Sequence, residues 1–418
     1  MKRNQWLALL CSSALCIASL PAARAQTAVC TQANALSVLV SGTTAVAYLP
    51  NAAWYTGGTG IRVVPLEGGG SLGSISTPGY VDSCASNPTT LQTVCTATDT
   101  DVYLITGSTL TSTLTSAGNG IASFSGGECG NCGVAINTAT NIAYIEEGTY
   151  VRSSGEEIPA LQALDLSNNT FGRALKLNNG LSESILVDPI RNVLLSATEQ
   201  SSYDIVKLNG TNNPKGEYGN YSVSAEFDSS GEDCSTGLLI GSDEFTGNLF
   251  FADLLKAKYN KTALTWTDTK QALINFPDFN DLSAGTTGLS VAPGTHYAVL
   301  SGEFGGNVAG ALQLPTSASL AKSGLKDYVV ATLPTDPEGY TFQNGYDPHS
   351  VTTYTSPNNG KAYAVLADWA SGEPDYLAVI DIAALLAAPR VHGASGVHVV
   401  DPTYDLIANG VLHYVQTY

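Results

Sequence analysis

The sequence predicts an all-β protein. Short runs rich in Val, Ile, Tyr, Phe and Thr are punctuated by Gly, Asn, Pro and Asp turns, and helical periodicity is nearly absent. One hairpin pattern, an apolar strand, a polar turn and a second apolar or aromatic strand, recurs seven times without a Pro/Ser linker between copies. Such recurrence, at spacings of 41 to 66 residues between equivalent positions from Tyr48 to Val365, points to a repeat architecture rather than to two sandwich domains.

Composition narrows the class before any motif is read. With 44% hydrophobic and only 13% charged residues over 418 positions, too much apolar material is present for a disordered chain. A net charge of −18 and the lack of basic runs exclude a nucleic-acid partner and an anionic membrane surface.

The N-terminal segment reads as an address. Lys2 and Arg3 precede the apolar run from Leu7 to Leu20, and Ala23-Arg24-Ala25 supplies a small-residue cleavage site. Residues 1–25 are therefore expected to be a secretory signal peptide and 26–418 a single domain, secreted or periplasmic, with no transmembrane segment. Loss of Lys2, Arg3 and Arg24 takes the charge from −18 to −21. Six cysteines remain, Cys30, Cys84, Cys95, Cys129, Cys132 and Cys234. In an oxidising compartment an even count reads as disulfides, and the pairing stays open. Cys129-Gly-Asn-Cys132 has no second Cys/His pair at metal-site spacing.

The seven copies are Ala35–Leu49, Leu91–Ile105, Cys132–Glu146, Ser184–Ala197, Thr236–Asp253, Thr287–Leu300 and His349–Asp368. A third strand candidate follows several of them, as at Ile61–Leu66, Ala160–Leu166, Tyr203–Leu208, Ala309–Leu314 and Tyr376–Ile382. A fourth follows at Tyr221–Phe227 and Tyr328–Leu333. Four strands per copy predict a seven-bladed β-propeller of antiparallel blades, in which radial stacking covers both faces of every sheet and leaves only short edges. The terminal run Gly410–Tyr418 is expected to close the ring on the first blade, and Ile382–Ala388 to be the one helical insertion.

At this point the chain resembles the YVTN/lactonase-like propeller superfamily. Val187-Asp188-Pro189-Ile190-Arg191-Asn192-Val193 is similar to its strand–turn–strand signature. Pro348-His349-Ser350-Val351, followed by Pro357, Gly360 and Ala367-Asp368, is similar to a lactonase-family blade in which Asp347 stands where that family has a first His. Ser235-Thr236-Gly237-Leu238 is similar to the Ser-Asn-Gly-Leu blade of gluconolactonase-type propellers, with Thr236 at the metal-binding Asn. The resemblance implies the fold, and a fold of this kind hosts enzymes, binders and scaffolds alike.

Strand alternation sends the loops that enter each first strand, and those joining second to third strands, to one rim. Nearly every copy then offers an acid to the same mouth. The expected ligand-binding residues are Glu128, Glu183, Asp233, Asp347 and Trp369. The expected metal ligands are Glu183, Asp233, Asp253 and His349. Converging carboxylates favour a divalent cation, calcium first. Two roles are open. One is a binding or scaffold protein, monomeric, taking a small molecule or an extracellular protein or glycan. The other is a metal-dependent lactonase-type hydrolase with His349 and Asp368 as catalytic groups. His296 is expected on the opposite rim in a structural or solvated role.

Overall fold

The computed structural model describes residues 30–32, 36–51, 59–97, 101–115, 121–124, 131–152, 157–177, 184–197, 202–214, 217–222, 227–243, 248–254, 258–260, 265–267, 271–275, 286–302, 306–318, 327–343, 351–371, 375–391 and 398–418. It is all-β, and its strands form six sheets that are antiparallel apart from two single-residue parallel pairs.

The first sheet runs in chain order through Ser37–Ser41, Thr44–Pro50, Thr59–Glu67, Gly73–Asn87, Gln92–Ala97, Asp101–Thr106 and Thr109–Thr115. Its fourth strand, 15 residues long, pairs with Thr59–Glu67 through its first half and with Gln92–Ala97 through its second. The second sheet is built on Asn131–Asn137, Ile142–Arg152 and Glu157–Asp165, and the third on Ser184–Asp188, Val193–Ala197, Ser202–Lys207 and Glu217–Ser222. The fourth holds Phe227–Asp233, Leu238–Asp243, Asn248–Asp253 and Gln271–Asn275. Thr286–Val291, Tyr297–Gly302, Val308–Gln313 and Tyr328–Thr332 make the fifth, and Val351–Thr355, Ala362–Asp368, Tyr376–Asp381 and Leu412–Gln416 the sixth. The expected tally of seven separate four-stranded sheets is thus corrected to six sheets of four, six or seven strands.

A second correction concerns the C-terminus. Leu412–Gln416 pairs with Tyr376–Asp381 of its own sheet, not with the first sheet. Ile382–Leu386 forms the expected helix, with Asp381 accepting from the Ala384 N–H as its N-cap. After this helix the chain lends Arg390–Val391 and Val399–Val400 to the edge of the fifth sheet before returning to the sixth.

Five hairpins share one turn. Asn87, Asn137, Asp188, Asp233 and Ser356 each close the first strand, and the side chain of each accepts the N–H two residues on. Four residues after each stands Leu91, Asn141, Asn192, Gly237 or Gly360, all in the left-handed region. Asn and Gly tolerate that conformation; Leu does not, because its Cβ crowds the following carbonyl. Leu91→Asn is therefore expected to stabilise the protein by about 1 kcal/mol, read as a raised urea midpoint with unchanged slope.

Seven clusters of buried apolar side chains lie between these layers. One joins Tyr48 and Ile61 to Cys95 and Tyr103 across the two halves of the first sheet. Val94 and Leu104 then meet Ile136 and Ile145, Tyr144 and Leu161 meet Val187 and Leu194, and Leu195 and Tyr203 meet Leu239 and Phe250. Ile240 and Phe251 pack on Leu300 and Leu312, and Val299 and Val329 on Leu366 and Ile380. The seventh brings the chain back on itself, with Leu49 and Val64 of the first sheet against Val365 and Leu377 of the last. Polar bonds reinforce that junction: Glu67 accepts from the Tyr354 and Ser356 hydroxyls and from the Asn358 amide.

Candidate functional site

A first-to-second-strand turn, the shared one in five sheets and Ala292–His296 in the fifth, gives each sheet a turn end and an opposite, open end. Asp368 closes the strand Ala362–Asp368 at the open end, where the sequence placed it. Its Oδ1 accepts the backbone N–H groups of Gln343 (3.1 Å) and Ala370 (3.1 Å), whereas Oδ2 is buried with no partner among the described residues. Burial, with a smaller contribution from the Asp336 and Asp375 charges, outweighs the two hydrogen bonds and raises its pKa to about 6. Trp369 beside it is only 8% exposed, and its indole N–H is also buried without a partner. Trp369 was expected among the ligand-binding residues; Leu377, Val379 and their neighbours pack its ring into the junction between first and last sheets.

A carboxyl held at a raised pKa favours the protonated fold. Relative to the ordinary value of 3.8, stability associated with Asp368 is present below about pH 4 and lost as pH rises through about 6. Asp368→Asn is expected to stabilise the protein by about 1–2 kcal/mol at pH 7.5, solvent screening allowed for, and to have little effect at pH 4. Thermal unfolding of both proteins across pH 4–8 reads the difference directly.

The denser constellation lies at the turn end, where the third and fourth sheets meet. Asp188 is fully buried; its Oδ1 accepts the N–H groups of Ile190 and Arg191, and its Oδ2 holds the Arg191 guanidinium at 2.6 Å. Arg191 reaches on to Glu232 Oε1 and to the Cys234 carbonyl, each at 3.2 Å. Glu232 is buried too, and burial together with the Asp188 charge pushes its pKa well above the carboxylate range in spite of Arg191. The guanidinium lies nearer to Asp188 (2.6 Å) than to Glu232 (3.2 Å). Its Oε2 lies 3.5 Å from Cys30 Sγ, and Cys30 is disulfide-bonded to Cys234. A bonded sulfur carries no proton, so this is a close contact and not a hydrogen bond from the sulfur.

Asp233, the next residue, faces the fifth sheet. It accepts from the Ser235 hydroxyl (2.6 Å) and stands 2.6 Å from His296 Nδ1. These bonds outweigh desolvation and hold its pKa below the ordinary value. Asp253 sits at the same end, opposite Leu238, and accepts the Ala318 N–H. A pocket of about 170 Å³ lies alongside, lined by the Cys30–Cys234 pair, Glu232, Asp233 and the Val291–Thr295 turn.

Two site assignments are therefore corrected. Asp233 and Asp253 were expected at the mouth with Asp368; they lie at the turn end, away from it. The cause is a strand whose sequence, Phe-Asp-Ser-Ser-Gly-Glu-Asp, looks like a loop. Ser229, Ser230, Glu232 and Asp233 are buried in it, so Leu238–Asp243 is the second strand of its sheet rather than the first. Glu128, Glu183, Asp347 and His349 lie outside the described residues. Glu146 is at the open end as expected, buried and accepting from the Ser196 hydroxyl. His296 is on the rim opposite Asp368, paired to Asp233. The Asp188–Arg191–Glu232 network escaped the sequence reading, although Asp188 and Arg191 stand in the Asp-Pro-Ile-Arg turn that was singled out.

Comparison with known proteins finds no matching family model and no matching curated protein. Two cysteine pairs at bonding distance, Cys30–Cys234 and Cys84–Cys95, are compatible with an extracellular or periplasmic protein. Among the described residues no helix is long and apolar enough to cross a membrane.

Proposed function

We propose that the chain is an exported seven-bladed β-propeller of the YVTN/lactonase-like kind that works as a binding or scaffold protein. The long strand Gly73–Asn87 supports the blade count, because each of its halves serves a different set of strands and six sheets then contain seven four-stranded units. Seven apolar junctions between successive units, the last joining first sheet to final sheet, support a closed ring. Class averages of the particle by electron microscopy with seven lobes around a central channel would agree; an open or two-lobed particle would not.

One observation carries the functional choice. The described candidates Asp233, Asp253 and Asp368 are divided between two ends of the sheets, and each is bonded to local backbone or to a neighbouring side chain. Acids used in this way brace loops and present a shaped, negatively charged rim to a small molecule or an extracellular protein or glycan. A calcium ion at the open end belongs to the same reading, with Glu183 and His349 as its remaining candidate ligands.

The second reading, a divalent-metal-dependent lactonase, draws on Asp368 alone: a buried carboxyl with an unpartnered oxygen and a pKa of about 6 is suited to proton transfer near neutral pH. A panel of lactones assayed with and without added calcium separates the two. The binding reading expects no turnover in either condition. Turnover that His349→Ala or Asp368→Asn abolishes, with the unfolding midpoint retained, would establish the hydrolase.

A further inference from the structure

We propose that Cys30, Cys234 and Asp188, with Glu232 as fourth donor, form a zinc site when the two cysteines are reduced. Among the described residues this is the one group in which three metal-ligating side chains bring their donor atoms within 4.8 Å of one another. Glu232 Oε2 adds a fourth donor 3.5 Å from Cys30 Sγ. The two cysteine Cα atoms are 5.7 Å apart, so side-chain rotation alone can open the sulfurs to a tetrahedral spacing.

The donors are held in place by bonds other than the disulfide. Thr31 and Gln32 pair with Val187 and Leu186, and the Thr31 hydroxyl bridges to the Ile136 backbone, which fixes Cys30 from its C-terminal side. Cys234 sits in the turn capped by Asp233 and receives Arg191 on its carbonyl. Reduction therefore leaves both thiols facing two buried carboxyls. Two thiolates and two carboxylates suit zinc; calcium and magnesium prefer all-oxygen sets.

The chemistry balances. A dithiol reductant takes the Cys30–Cys234 bond to two thiols and is itself oxidised to a disulfide. Zinc then displaces one proton from each thiol to solvent, and the Asp188 and Glu232 carboxylates turn from Arg191 to the metal. A disulfide oxidant, itself reduced to a dithiol, returns the pair to cystine and so expels the ion. The site thus has two states, cystine or zinc, and the reduced, newly exported chain is the one that binds.

The test uses the mature protein carrying Cys129→Ser and Cys132→Ser, which removes the separate CxxC. After reduction with a phosphine, zinc alone is added, and bound metal is measured by elemental analysis and chelator competition. One zinc per chain is expected, none in the oxidised protein, and about 100-fold weaker binding in Cys30→Ser. Asp188→Asn should weaken binding about 10-fold, and Cys84→Ser should leave it unchanged. X-ray absorption on the zinc-loaded protein should count two sulfur ligands, a readout that does not depend on how the variants fold. Absence of retained zinc, equal retention by Cys30→Ser, or a sulfur count other than two would overturn the proposal.

Discussion

Arg191→Met is expected to destabilise the protein by about 3–5 kcal/mol at pH 7.5, among the largest effects open to a single substitution. Methionine keeps much of the side-chain volume but leaves Asp188, which has no solvent exposure, without its counter-charge. Two backbone N–H groups still reach Asp188, so its carboxylate is not bare, but they do not replace a guanidinium at 2.6 Å. Glu232 loses its ion pair as well. The deficit should shrink on acidification to pH 4, where a stranded carboxyl takes up a proton. Adding Asp188→Asn to Arg191→Met should recover about half of the loss, because the stranded charge is removed while the turn's side-chain acceptor remains. Urea unfolding of the four proteins at both pH values closes the cycle. A deficit below 1 kcal/mol at pH 7.5 would show that solvent reaches the network.

The same network shows what the sequence could and could not disclose. Five of the seven repeated hairpins were read in the right place within their sheets, because apolar strands on both sides of a short polar turn form a local signal. Asp188 to Asn192 is that signal in compact form. Two copies were read one strand late. In each case the true first strand carries buried polar residues: Ser83, Ser86 and Asn87 in one, Ser229, Ser230, Glu232 and Asp233 in the other. Their burial is made tolerable by partners far away in the chain, such as Ser37 for Ser86 and Leu289 for Ser229, and such partners are invisible to periodicity. That one-strand slip carried Asp233 and Asp253 to the wrong rim. Asp368 was placed correctly because its strand is apolar throughout and its partner strands flank it in sequence. Cysteine pairing was open for the same reason as the network: Cys30 and Cys234 are 204 residues apart and meet only through the tertiary fold.

That separation also makes the Cys30–Cys234 bridge the stronger staple. Chain-entropy arguments scale disulfide stabilisation with the logarithm of the loop closed, about 5 kcal/mol for a loop of 204 residues against about 3 kcal/mol for the 11-residue loop of Cys84–Cys95. Residual structure in the unfolded chain lowers both figures, so paired Ser substitutions are expected to cost about 3–5 and about 2 kcal/mol respectively. The order should hold although Cys84 and Cys95 are the more deeply buried pair and line an apolar junction. Cys30–Cys234 fastens a two-residue strand to the inner edge of Ser184–Asp188 and ties it to the turn of the next sheet. Cutting it removes the cross-link between that strand and the turn but leaves the strand pairing and the apolar junctions between sheets, so the variant should lose stability without losing β-sheet circular dichroism. Zinc adds a discriminating arm. It should restore part of the lost stability to the reduced wild-type chain and none to Cys30→Ser/Cys234→Ser, because only the former offers thiolates beside Asp188. Equal response of the two proteins to zinc would leave the staple intact and remove the metal site.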